Sequence, residues 1–332
     1  MNEELFARLL AADVPDLTVQ ISPHVDAIAS SAHGWAREVG IAEGYTTRAI
    51  LDYATYGGHT YPTADPDDLL LISQWTLLFF LWDDHLDNQP VSALPAESRQ
   101  LLDELDRLLG PDRHQARTLA KRSPHAQAFC SLWDLSLRQW SSIGWRRRFL
   151  AAMRLYQECQ QWELHNRRHG LMPDPLSYPL IKGHSSFSTV ARTFLELLLP
   201  QPAPDSLMDS HVLRVMSAAA GDVADLAADV VSFDPTAGAD DANMLTVLEN
   251  ALASTPQQAQ DVLVALWTAR FQLVDRLRDT LPGLLTDTGH GPQNITQALT
   301  WADLLLLWLG GNYGWGATTA RYDARATRPH RP

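Results

Sequence analysis

The chain has 332 residues, 45% hydrophobic and 20% charged, with a formal net charge of -13. That acidity excludes a binder of nucleic-acid backbone, which needs a basic face. It leaves room for a phosphorylated small molecule whose charge a divalent metal neutralises locally.

In chain order, the first residues, Met1 to Asp13, lack the basic-then-apolar pattern of a signal peptide. No apolar run approaches the roughly 18 residues of a membrane-spanning helix, so a cytoplasmic protein without a membrane span is expected. Apolar residues then recur at three- and four-residue spacing over Leu69 to Leu86, Phe149 to Arg168, Val212 to Val231, Val262 to Leu281 and Thr296 to Leu309. Between these segments stand helix stops: Tyr61 to Pro66, Asn88-Gln89-Pro90, Gly110-Pro111-Asp112, Met172 to Pro175 and Pro200 to Asp205. No strand-helix-strand rhythm, internal repeat or long linker interrupts them. The expectation is one all-α domain over 1–332 with ten or more helices. The two cysteines, Cys130 and Cys159, match no zinc spacing and make no disulfide framework, so they read as reduced thiols in helices.

The segment from Leu69 to Leu86 is apolar nearly all round, the mark of a helix central to a bundle. It ends in Trp82-Asp83-Asp84-His85-Leu86-Asp87. On a helix Asp83 and Asp87 share a face, with Asp84 beside them. Carboxylates so close repel one another until a hard divalent cation bridges them, and magnesium held by few carboxylates completes its shell with phosphate oxygens. The spacing therefore points to a diphosphate-metal site. The plainer alternative is a solvated acidic helix end. The aromatics beside it, Phe79, Phe80 and Trp82, suit a cavity that stabilises an allylic cation through ring quadrupoles, although each alone is ordinary core.

With these residues on the page the resemblance is to bacterial class I terpene synthases. It is carried by Tyr61-Pro62-x-Ala64, Trp75 and Phe79-x-x-x-Asp83-Asp84-His85-x-Asp87. Ile21-Ser22-Pro23-His24 with Trp35 precede them; Trp162-Glu163, Asn166-Arg167 and Tyr178 follow. Gly310-Gly311-Asn312-Tyr313-Gly314-Trp315 and Arg321-Tyr322 complete the series. The similarity runs from about residue 20 to 322. It implies a class I terpenoid synthase fold around a central cavity, with an N-terminal strap near 15–35 and a C-terminal lid near 310–332. It further implies up to three Mg2+ ions held partly by Asp83, Asp84 and Asp87, diphosphate bound by Arg321 and Tyr322, and a possible homodimer. Ser186, Trp308 and Trp315 join Phe79, Phe80 and Trp82 as candidates for the cavity wall.

The chain departs from the family twice. Where the family has Asn-Asp-x-x-Ser-x-x-x-Glu, it reads Ala228-Asp229-Val230-Val231-Ser232-Phe233-Asp234-Pro235-Thr236. Ala228 binds no metal, and Asp225 or Asp229, with Ser232, is the expected substitute. At the family's diphosphate-sensing arginine stands Lys182, which meets phosphate as a point charge; Arg192 is a weaker alternative. The break in the helix is expected over Gly183-His184-Ser185-Ser186.

The function implied is cyclisation of a linear prenyl diphosphate. The divergent metal motif favours C20 geranylgeranyl diphosphate, and thus a diterpene, over C15 farnesyl diphosphate. A chain-elongating synthase would need a second DDxxD, which Asp240-Asp241 does not supply. A non-catalytic prenyl-diphosphate binder and an HD-type hydrolase are the remaining readings.

Overall fold

The computed structural model describes residues 3–12, 17–87, 96–233 and 242–322, and within them it contains helices and no strand. A first helix, α1 (Glu3–Leu10), leads to an extended stretch over residues 17–22 and then to α2 (Val25–Glu38), α3 (Thr47–Ala54) and α4 (Tyr56–Thr60). Next come α5 (Pro66–Asp87), α6 (Ala96–Leu108), α7 (Arg113–Ala120), α8 (Pro124–Gln139) and α9 (Ile143–His169). The second half holds α10 (Ser177–Ser185), α11 (Ser188–Thr193), α12 (Asp205–Met208), α13 (His211–Ser232), α14 (Met244–Leu252), α15 (Pro256–Asp287) and α16 (Pro292–Thr318). A short 3-10 turn, Ala320–Tyr322, ends the described chain. All five periodic segments of the sequence lie inside single helices: α5, α9, α13, α15 and α16. None of the described helices is long and apolar enough to cross a membrane.

Local chemistry explains the boundaries. Asp65 opens α5 by accepting the Asp67 and Asp68 amides, and Pro66 fills the first position, where no amide is needed. Thr255 and Gln258 form a reciprocal capping box at the start of α15. Gly170 ends α9 in the left-handed conformation, φ 62°.

Helix α5 is central, as its all-round apolarity requires. Leu69, Ile72, Trp75, Leu77, Leu78 and Leu81 are fully or almost fully buried, packed by α2, α3, α4 and α8. Helix α13 is likewise surrounded, by α10, α11, α15 and α16. The two acidic helix ends thus belong to two core helices.

The strap and the last helix meet backbone to backbone. A Cβ at Gly310 would come within 2.1 Å of the Thr18 carbonyl, and one at Gly311 within 2.1 Å of the His59 carbonyl. The Gly310-Gly311 pair is therefore what lets α16 touch the strap on one side and α4 on the other.

Candidate active site

At the end of α5 the carboxylates of Asp83 and Asp84 converge on one positive group. The Arg321 guanidinium lies 3.0 Å from Asp83 Oδ2 and 2.7 Å from Asp84 Oδ1. It sits over the rings of Tyr53 and Phe80, 4.9 Å from each centroid. The Tyr53 hydroxyl donates to Asp84 Oδ2 at 3.0 Å. Burial, with the Asp84 charge adding to it, holds the Tyr53 hydroxyl well above the usual phenol range, so it remains a donor. Behind this cluster, Phe80 stacks on Trp315 and meets Tyr56 edge to face. The Trp315 ring nitrogen donates to the Asp52 carbonyl, while the Asp52 carboxylate accepts the Thr319 hydroxyl and the Ala320 amide. Asp52 thereby ties the turn that carries Arg321 to α3.

Across the interior, Tyr178, Lys182 and Ser186 follow one another at four-residue steps and face α13. The Tyr178 hydroxyl lies 2.9 and 3.1 Å from the two Asp229 oxygens. The Ser186 hydroxyl donates to Asp225 Oδ1 at 2.8 Å. Lys182 stands between these two rungs and lines a small pocket with Tyr178, Asp222, Asp225 and Asp229. Burial alone would lower its ammonium pKa, but Tyr178, Asp229, Glu163 and Asp83 hold it well above the usual lysine range. Burial pushes Asp225 up to about 7 against the opposing pull of Arg192, the Ser186 hydroxyl and Lys182, and its Oδ2 has no hydrogen-bond partner.

The helix break falls slightly later than the sequence suggests. Gly183 and His184 are still helical, and the chain turns at Ser186 and Phe187. Phe187 adopts φ 67°, a left-handed conformation that costs a bulky residue roughly 1–2 kcal/mol. It is held there by stacking on Phe79 of α5. From α9, Gln160 donates to the Ser185 carbonyl at 2.8 Å, and Glu163 accepts the Ser185 hydroxyl at 2.6 Å.

The expected residues divide into groups. Asp83, Asp84, Arg321, Phe80 and Trp315 come together at one wall; Lys182, Ser186, Asp225 and Asp229 come together at the other. Phe79 packs between Trp75, Phe129, Tyr156 and Phe187. Trp82 faces away from the Arg321 cluster, among His85, His125 and Phe129. Trp308 is wholly buried, with the Arg192 guanidinium 5.6 Å from its ring centroid. Arg192, buried, donates to Ser188, Thr189 and Ser217 and packs against Gly221, so it belongs to the interior beneath the break. Ser232 is exposed at the last position of α13. The side chains of Asp87 and Tyr322, and residues Thr236, Asp240 and Asp241, lie outside the described part. Tyr53 and Asp52 were not foreseen: Tyr53 stands 31 positions from Asp84 and Asp52 267 from Thr319, both in a short helix with no motif of its own.

The two walls differ in their fit to a metal ion. Asp83 and Asp84 offer oxygens that already converge on a cation, the arrangement a divalent ion requires. On α13, Ala228 has no ligand atom and both Asp229 oxygens are engaged by Tyr178, one of them also by the Met244 amide at 3.0 Å. Asp229 works there as a cap for α14, whose first residue is Met244. Among the described residues of either wall, no three His, Cys, Asp or Glu groups come together to hold a metal.

Comparison with known proteins agrees with this geometry. Residues 74–272, more than half the chain, match the family model described as terpene synthase family 2, C-terminal metal binding. Pristinol synthase of Streptomyces pristinaespiralis is 27% identical over 322 residues, covering 95% of this chain and 85% of that protein. The (+)-T-muurolol synthase of Roseiflexus castenholzii is 22% identical over 330 residues, covering 97% and 95%. The crystal structure of linalool/nerolidol synthase from Streptomyces clavuligerus superposes with a TM-score of 0.78 at 22% identity, covering 92% of this chain and all of that one. Both acidic helix ends, α5 and α13, fall inside the matched span. The chain belongs to the class I terpene synthases of the bacterial type, metal-binding lyases of prenyl diphosphates.

Proposed function

We propose that the chain cyclises farnesyl diphosphate to a sesquiterpene, acting as one α domain with its strap and its C-terminal turn closed over the site. The observation that carries this reading is the convergence of Asp83, Asp84 and Arg321 against the Phe80–Trp315 wall. The preference for a C20 substrate drawn from the divergent metal motif gives way here. The relatives whose names state a substrate, such as the (+)-T-muurolol synthase, are farnesyl diphosphate cyclising. Divergence on α13 concerns the diphosphate end and carries no information on chain length.

Magnesium held by Asp83, Asp84 and Asp87 would supply the positive charge that draws the diphosphate from its allylic carbon. Arg321, now against Asp83 and Asp84, and Tyr322 would donate to the diphosphate oxygens; a guanidinium matches them bidentately. Lys182 would meet the same group from the opposite wall. Phe79, Phe80, Trp308 and Trp315, with Phe187, would enclose the hydrocarbon and exclude water, and aromatic faces stabilise the positive charge that travels along it. The Ser186 segment, fixed by Gln160, Glu163 and Asp225, would hold the backbone at the break rigid beside the reacting end.

The test is incubation with magnesium and, separately, geranyl, farnesyl and geranylgeranyl diphosphate, read by gas chromatography–mass spectrometry with Asp83→Ala as control. A cyclic C15 hydrocarbon or alcohol from farnesyl diphosphate, absent in the control, is expected. A product from geranylgeranyl diphosphate alone would return the C20 reading.

A further inference from the structure

On the α13 wall a lysine stands where the family places metal ligands nearby, and the carboxylates around it are committed to other work. We propose that the Lys182 ammonium takes the place of the metal ion on this wall, so that the chain grips diphosphate with the ions of the Asp83 cluster alone. The inference rests on the cyclase reading above and departs from the three-ion arrangement that the family resemblance implies.

Geometry is the first support. Tyr178, Lys182 and Ser186 form one face of the α10 segment. Its outer members are pinned to α13, Tyr178 on Asp229 and Ser186 on Asp225. Lys182 is thereby held between two fixed rungs, in the pocket it shares with Asp222, Asp225 and Asp229. An ammonium so placed is a localised point charge with three donors, closer in kind to a small hydrated cation than the planar guanidinium it replaces. It brings its charge without needing a ligand set.

Ligand supply is the second. Among the described residues of this wall, Ala228 offers nothing, Asp229 is spent on Tyr178 and the Met244 amide, and Asp222 is paired with Arg270. Asp225 uses one oxygen on Ser186, and its other, Oδ2, is buried and unpartnered. A single carboxylate oxygen is a poor site for magnesium but a sufficient counter-charge for one ammonium. Glu163 and Asp83 add to the negative surround of Lys182. With the ligand at position 228 gone, Lys182 is the positive charge that this wall holds without a ligand set.

The experiment counts bound ions without catalysis. Protein saturated with inorganic diphosphate is titrated with Mn2+, and bound ions per chain are read by electron paramagnetic resonance. The wild type is expected to take up two or fewer; three per chain would overturn the proposal. Lys182→Gln should weaken diphosphate binding roughly 10- to 100-fold, as for loss of a charged hydrogen bond, with no change in ion count. Unchanged diphosphate affinity in that variant would also overturn it. Adding Ala228→Asn and Thr236→Glu to Lys182→Gln should raise the count by one and recover affinity. Lys182→Arg keeps the charge and should bind diphosphate within a few-fold of wild type, which separates lost charge from lost folding. If no prenyl diphosphate yields product while the ion count stays at two or fewer, the cyclase reading fails and this one stands. Normal cyclisation with three ions per chain is the converse.

Discussion

The Arg321 guanidinium lies 2.7 Å from Asp84 Oδ1 and also pairs with Asp83, 238 positions earlier in the chain. A residue expected to meet the substrate's anion is also the counter-ion of the groups expected to hold metal. A metal ion and Arg321 then compete for one pair of carboxylates. Arg321→Ala should bind Mn2+ several-fold more tightly without diphosphate, measured by calorimetry. With substrate its kcat should fall roughly 10- to 100-fold, the range for a lost charged hydrogen bond. Equal or weaker metal binding in the variant would show that no competition exists.

Tyr53 orients Asp84 through one hydroxyl. Tyr53→Phe removes that donor while Asp84 keeps Arg321, so the cost should stay near 0.5–1.5 kcal/mol. The expected signature is a several-fold rise in the magnesium concentration giving half-maximal rate, with a smaller change in KM for farnesyl diphosphate. A loss of thermal stability with no shift in magnesium dependence would mark Tyr53 as packing only.

His125 gives the fold an acid limit. Burial, with His85 beside it, pushes its pKa down to about 3, and its Nε2 has no hydrogen-bond partner. The folded state keeps this imidazole neutral where an unfolded chain would protonate it near pH 6.5. Its contribution is present above that pH and is lost as pH falls towards 3, because protons then favour the unfolded state. Between pH 7 and pH 5 the loss from this group is about 2 kcal/mol. His125→Gln should flatten the fall in chemical stability over that interval, followed by urea denaturation at each pH. A slope unchanged from wild type would place the acid sensitivity elsewhere.

Gly311 separates α16 from α4 by the thickness of a hydrogen atom. Gly311→Ala must push the helices apart, since the obstacle is the His59 backbone and not a side chain that can swing away. A destabilisation of about 1–3 kcal/mol is expected, lowering Tm by several degrees. Gly316, where a Cβ would meet nothing within 4 Å, is the control: Gly316→Ala should leave Tm unchanged or raise it.

Much of this molecule was legible in its residues. Helix α5 declared itself by being apolar on every side, and its place at the centre of the bundle follows from that alone. The Asp83-Asp84 pair is legible as a site from spacing, and Arg321 from the family resemblance. Their direct contact was not, because an ion pair across 238 positions leaves no local trace. The break is expected over Gly183 to Ser186, but Gly183 to Ser185 are still helical. The chain instead bends at Phe187, where a ring stack on Phe79 outweighs the cost of a positive φ. Asp225 and Asp229 looked equivalent as neighbours of Ala228. Only the arrival of Tyr178 and the α14 amide distinguishes them, and those partners come from 51 and 15 residues away. The choice of C20 over C15 had no basis in spacing, since cavity depth is set by which rings meet in space.

Asp52 is bonded to Thr319 across 267 residues of chain, and Tyr56 to Asn312 across 256. Helices α3 and α4 are made early, yet their polar groups find their partners only after nearly the whole polypeptide exists. Contacts of such long sequence separation slow folding, so the wall behind the Asp83 cluster adds to the contact order of the whole chain.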